Sequence, residues 1–270
     1  MNFWKYLLSL FILISPLQIC AQVGIDSVKP KLNPFDELNN LYKKNNLNDT
    51  VYIQMVDSVA NLLLDKGVFY SVSAMAENLK QYEKVAWSRE EYGKYRENYY
   101  LRLLNNAYIS DYLGATMYYA EKYSRESKKN GNPRPFVELS VKINIYALTQ
   151  NDKEVITTYE KNRYHIEKLL EKLKRNPDKY YSEGTDVMGI LGAAILAYSV
   201  QKDTQNIEKT YWLASNIIKN MERSSLSTDK RKRKIKFYSL IFNYYRAFGY
   251  RNHEEALTVL NKMEQWVKKK

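Results

Sequence analysis

Catalytic sites are commonly built from imidazole, thiol or paired carboxylates, and this chain uses all three sparingly. Its two histidines are His165 and His253. His165 stands in Tyr164-His165-Ile166-Glu167, an H-x-E without the cysteine pair that holds zinc in a base deaminase. His253 precedes Glu254-Glu255, and no H-E-x-x-H supplies zinc ligands. Both read as surface histidines on helices. Ser199-Val200-Gln201-Lys202 and Ser227-Thr228-Asp229-Lys230 have the S-x-x-K spacing that sets a serine nucleophile beside a lysine. The S-D-N and K-T-G elements that complete that chemistry are absent. Nine scattered glycines form neither a phosphate loop nor a dinucleotide fingerprint. Glu90-Glu91 and Glu254-Glu255 are neighbours on helices, so each pair points apart. The reading is of a non-enzyme with no catalytic residue, cofactor or metal. A helical enzyme acting on envelope material stands as an alternative.

Charge is the second chemical feature. Lys230-Arg231-Lys232-Arg233-Lys234 is followed by Lys236. Cations at a helix start oppose the helix dipole, so helix stability does not account for the run. It reads as a solvated face or as a contact for an anionic partner. Lys268-Lys269-Lys270 falls at a helix end, where the dipole favours it.

The N-terminus argues against a nucleic-acid partner, because it reads as an export signal. Lys5 is the only charge in residues 1–21, and an apolar run from Tyr6 ends at Ile19-Cys20-Ala21. A basic start, a short apolar middle and a small-residue cleavage site describe a secretory signal over 1–21. The run is too short for a membrane span. The expected address is exported, periplasmic or associated with the cell envelope. Cys20 suits lipid attachment, but Ile19 stands where a lipoprotein signal has a small residue. With Cys20 removed or modified, no disulfide or thiolate metal site remains.

Positioning falls to helices. Gly and Pro number 9 and 6, too few for a loop-dense sandwich, and a hydrophobic content of 45% excludes a mostly disordered chain. Residues 22–34 read as a linker. Periodicity predicts helices over 35–45, 49–66, 68–84, 89–107, 110–128, 135–150, 152–175, 184–202, 205–222, 227–249 and 252–268. Val68-Phe69-Tyr70-Ser71-Val72 has a strand-like composition, but the helical set Val68, Val72, Met75, Leu79 and Tyr82 extends further. Ser88 with Glu91 fits a capping box, Pro34 and Pro135 suit first turns, and Asp111 and Asp152 are candidate N-caps. Gly189 to Val200, GILGAAILAYSV, reads as a buried helix and not as a span.

The helices pair off. First members start near 49, 89, 135, 184 and 227, in steps of about 40, 46, 49 and 43 residues. Second members carry a small residue followed four positions later by a larger one: Ala115 and Tyr119, Val155 and Tyr159, Ala256 and Leu260, with Thr210 and Ala214 a weaker echo. Tyr146 and Ala247 fall at comparable first-helix positions. This pattern resembles the tetratricopeptide-repeat (TPR) family over residues 35–270. The intervals depart from the family's 34 residues, and the pair at 184–222 is degenerate. The resemblance implies an all-α, right-handed α-solenoid of about five stacked antiparallel helix pairs. An irregular helical bundle is the alternative.

Composition points to how such a fold would act. Tyr numbers 25 against Phe 8 and Trp 4. Tyr packs its ring while its hydroxyl reaches a polar rim. Tyr95, Tyr99, Arg102 and Asn106 follow one helical stripe, and Asn243 with Arg246 forms a second set. These six are the expected partner-binding residues of a concave face that holds a protein or peptide. The alternative is the sensory segment of a truncated or larger envelope signalling protein. Leu260, Met263, Trp266 and Val267 suggest a bare final helix, open to a homo-oligomer.

Overall fold

The computed structural model describes residues 34–44, 47–65, 80–225 and 228–268. Signal residues 1–21, linker residues 22–33 and most of the helix expected at 68–84 lie outside these. The described residues are helical, with no strand among them. The helices are α1 (Pro34–Lys43), α2 (Asp49–Asp65), α3 (80–86), α4 (Gly93–Ile109), α5 (Leu113–Lys129), α6 (Val137–Leu148), α7 (Asp152–Arg175), α8 (Pro177–Gln201), α9 (Thr204–Glu222), α10 (Asp229–Gly249) and α11 (His253–Lys268). No described helix is long and apolar enough to cross a membrane.

Two compact units divide at Arg134 and Pro135, within the stretch expected as one domain. The N-terminal unit packs Phe35 and Leu38 of α1 against Tyr52, Ile53 and Val56 of α2, with Tyr82, Tyr99 and Leu103 completing the cluster. In the C-terminal unit the core gathers around α8. Leu191 to Tyr198 are all buried, because α8 touches α6, α7, α9 and α10. A helix covered on every side has no polar face to keep, which accounts for the apolar run read there. Approach is close where α10 ends. A Cβ on Gly249 would stand 2.7 Å from Ser199 Oγ and 2.8 Å from Ile207 Cδ1.

Four links have the same geometry. Asp111, Gln150, Lys202 and Arg251 take φ of 59°, 58°, 58° and 56°, the left-handed region. In each case the next amide donates to the carbonyl five residues back: Tyr112 to Ala107, Asn151 to Tyr146, Asp203 to Tyr198, Asn252 to Ala247. This is the Schellman closure, which satisfies carbonyls that a helix end leaves open. Three of the links then cap the following helix. Asn151, Asp203 and Asn252 accept from the amides of Glu154, Asn206 and Glu255 through side-chain oxygens. One helix is closed and the next opened within three residues.

These links correct several expectations. Asp111 is the left-handed residue and not a cap, and Asp152 is the first helical residue after the Asn151 cap. Ser88 donates to Val85 O, ending α3 rather than opening α4. Pro34 opens α1, whereas Pro135 precedes the Phe136 cap of α6. The helix expected from 184 begins at Pro177, where Asn176 caps it by accepting from Lys179 N. Five residues after each left-handed position stand Thr116, Val155, Ile207 and Ala256, all buried. On α5 the buried pair is Thr116 and Ala120 in place of Ala115 and Tyr119, whereas on α9 Thr210 and Ala214 are buried together with Ile207. Val155 with Tyr159 and Ala256 with Leu260 hold their register.

Among the described residues twelve tyrosines are buried, so the core is in large part phenol. Most of these hydroxyls keep a partner: Tyr52 donates to Asn39, Tyr82 to Tyr95 O, and Tyr198 to Glu160. Burial raises the phenols of Tyr52, Tyr82, Tyr108, Tyr159, Tyr198, Tyr238 and Tyr245 above their ordinary value, and pushes Tyr100 to about 12.

Two predictions follow from these features. Lys202→Gly relieves the left-handed strain and should raise stability by roughly 0.5–1 kcal/mol, whereas β-branched Lys202→Val should lower it by ~1 kcal/mol or more, read by urea unfolding. For the phenols, a folded-state value above the ordinary 10.0 means their contribution is complete below that pH and is lost as pH rises past it. Phenolate absorbance should therefore finish rising only as helical circular dichroism is lost. A complete phenolate titration with helices intact would put these rings outside the core.

Candidate functional site

Helix α4 carries the first expected stripe, and most of it faces inward. Tyr99, Arg102 and Asn106 are 5%, 4% and 6% exposed, while Tyr95 is half-buried. Arg102 Nη2 donates to Asp57 Oδ1 of α2 at 2.5 Å, and Asn98 Nδ2 lies 3.3 Å from both Asp57 oxygens. Tyr99 stacks on Tyr82 at 6.0 Å between centroids and meets the edge of Trp87 at 5.5 Å. The stripe is brought together as expected, but as the polar seam that joins α4 to α2. That burial removes Tyr99, Arg102 and Asn106 from any partner-facing surface of the folded unit. Asp57, which anchors the seam, lies 45 residues from Arg102 and had no local sequence signal.

Asn243 and Arg246 of α10 are placed differently. Asn243 Oδ1 accepts from Tyr211 Oη of α9 at 2.6 Å. Arg246 Nε donates to Glu208 Oε2 at 2.9 Å, with its guanidinium 5.1 Å and 5.4 Å from the Tyr211 and Tyr250 ring centroids. Tyr250 Oη also donates to Glu208, at 3.2 Å. Desolvation and that hydrogen bond raise the Tyr250 phenol. The group is solvent-accessible, so the Arg246–Glu208 pair contributes below about 1 kcal/mol to folding.

Glu208 and Tyr250 are also part of the wall of a cleft of about 660 Å³. Helix α7 supplies Arg163, Glu167 and Leu170; α9 supplies Leu213 and Trp212. Trp212 is 58% exposed. It falls off the stripe Ile207, Thr210, Ala214 and Ile217 that faces the core, and an aromatic residue off the buried stripe was the available sequence signal for it. Its wall carboxylates have cations beside them, Glu167 with Arg163 and Glu208 with Arg246. The cleft offers recognition chemistry: an open ring face, an aliphatic floor and a hydrogen-bonding rim.

The other candidates resolve into structure. His165 and His253 are exposed. Ser199 Oγ donates to Ile195 O, and Lys202 makes the left-handed turn. Among the described residues no three His, Cys, Asp or Glu come together as a cation site. On α11, Met263 is buried and Trp266 stacks on Phe237 at 4.7 Å, so the expected bare end turns its apolar side inward. Leu257 is its one large exposed hydrophobic residue among those described. No protein-family model, curated protein or solved structure matches the chain.

The seam generates a prediction. Arg102→Met leaves the Asp57 carboxylate without its cation and should cost ~3 kcal/mol or more. Urea unfolding followed by Trp fluorescence and circular dichroism measures it. A variant as stable as the parent would remove the seam from the core.

Proposed function

We propose that the chain is an exported scaffold of TPR-like helix pairs that binds a peptide or protein. Several observations support the stacked-pair reading. In the C-terminal unit α6 touches α8 and α8 touches α10, while α7 touches α9. First members thus neighbour first members and second members neighbour second members, as stacking pairs require. Among the left-handed closures, which also include Gly131 at the end of α5, those inside the expected pairs at 111, 150, 202 and 251 are spaced 39, 52 and 49 residues apart. The apolar leader over residues 1–21 supports export.

The observation that carries the binding role is Trp212, held open in the α7–α9 cleft beside the Glu208–Arg246 pair. A partner side chain laid on Trp212 and Leu170 would bury apolar surface, and the rim would fix its orientation through polar groups already positioned. In this reading Asn243 and Arg246 keep their place at the site as supports for the rim. The site moves from the first helices to the second members α7 and α9.

Panning a random dodecapeptide library on the full chain tests this. Enriched peptides should carry an apolar anchor and lose at least about tenfold in affinity for Trp212→Ala, as expected of an aromatic hot spot. Arg246→Gln should lose less, with helicity unchanged in both. Peptides that bind Trp212→Ala as tightly as the parent would overturn the assignment.

A further inference from the structure

Four helix ends meet at one end of the C-terminal unit. Asp178, at the start of α8, accepts from Ser224 Oγ at 2.6 Å and from Ser225 N at 2.8 Å, just past α9. Arg231, in the first turn of α10, lies 5.1 Å from the Tyr181 centroid of α8. Lys172 near the end of α7 and Lys179 of α8 stand 5.3 Å and 5.5 Å from the Tyr180 centroid.

Basic residues concentrate here. Six of the seven residues 230–236 are Lys or Arg, and Lys174, Arg175 and Lys179 add to them. Asp178 is engaged with both serines and Glu171 with Lys174, while the exposed carboxylates Glu222 and Asp229 at this end are outnumbered by the cations. Lys232, Arg233 and Lys236 are exposed, with no carboxylate of the described residues within 4.0 Å. The opposite end sets Lys202 and Arg251 near Asp203 and Glu254-Glu255 in sequence, so those cations are matched by carboxylates there. Arg231 and Lys234 lie over the rings of Tyr181 and Tyr238, but helix stability does not account for Lys232, Arg233 and Lys236. Thr228 Oγ1 already caps α10 by accepting from Arg231 N, and cations in a first turn oppose the dipole.

We propose that this end of the unit docks on an anionic phospholipid surface. Its cations are distributed over the ends of α7, α8 and α10, which suits a plane of headgroups better than a single extended chain. Its rings bear this out. The Tyr180 ring is flanked by two ammonium groups and the Tyr181 ring by a guanidinium, so neither is free for the base stacking that single-stranded nucleic acid requires. Tyrosine beside lysine is also a common composition at a membrane interface. The inference stands apart from the Trp212 cleft, which Lys232, Arg233 and Lys236 do not line.

The test is co-sedimentation of the full chain with phosphatidylcholine vesicles, with and without about a third phosphatidylglycerol. Anionic vesicles should bind the chain at ~0.1 M NaCl and release it at ~0.5 M, and neutral vesicles should not bind it. Replacing Lys232, Arg233 and Lys236 with Gln should weaken binding about fivefold per cation, or roughly a hundredfold together. Removing equal charge at Lys142, Lys153 and Lys161 should leave binding nearly unchanged. Equal loss in both variants, or equal binding to neutral vesicles, would overturn the proposal. So would a parent chain that ignores anionic vesicles but binds heparin or duplex DNA.

Discussion

An amphipathic helix in water is stable only if another helix comes back against its apolar side. Much of this molecule depends on how the chain makes that return. In four places a single residue in the left-handed region closes one helix, and the next residue or two begin another. The amide that follows the left-handed residue reaches five residues back, so the end of the first helix and the start of the second are fixed together. The crossing residues are set by that link, which puts Thr116, Val155, Ile207 and Ala256 at the same distance from it.

The same constraint explains what could be read from residues alone. Helix identity was legible because periodicity is a local property, and α7 runs from Asp152 to Arg175 as its pattern indicates. The buried run in α8 was legible because its residues are apolar on every side. The four reversals were legible as breaks between expected helices, but their left-handed closures were not, because Asp111, Gln150, Lys202 and Arg251 lack the glycine that usually marks such a position. Without that mark, Asp111 looked like a cap and Ala115 like a crossing residue.

The candidate site divides along a similar line. Periodicity shows which residues share a face but not whether the face is covered. Tyr99, Arg102 and Asn106 do share one, and α2 covers it with Asp57. Asn243 and Arg246 share one that stays half open. The tyrosine excess has the same two-sided character. A ring that packs and a hydroxyl that bonds serve the interior at Tyr52 and Tyr82, and the rim at Tyr211 and Tyr250. Tyr108 and Tyr181 bury hydroxyls with no hydrogen-bond partner among the described residues, and at those two positions the ring alone contributes.

A reversal held by backbone hydrogen bonds leaves its own side chain with nothing to do. Asp111, Gln150, Lys202 and Arg251 all project into solvent. The chain has one cysteine, Cys20. A thiol introduced at any of the four would be the only one between residues 21 and 270. The repeating links therefore double as addressable handles, from which a dye or spin label can report on distances between helix ends without disturbing the core.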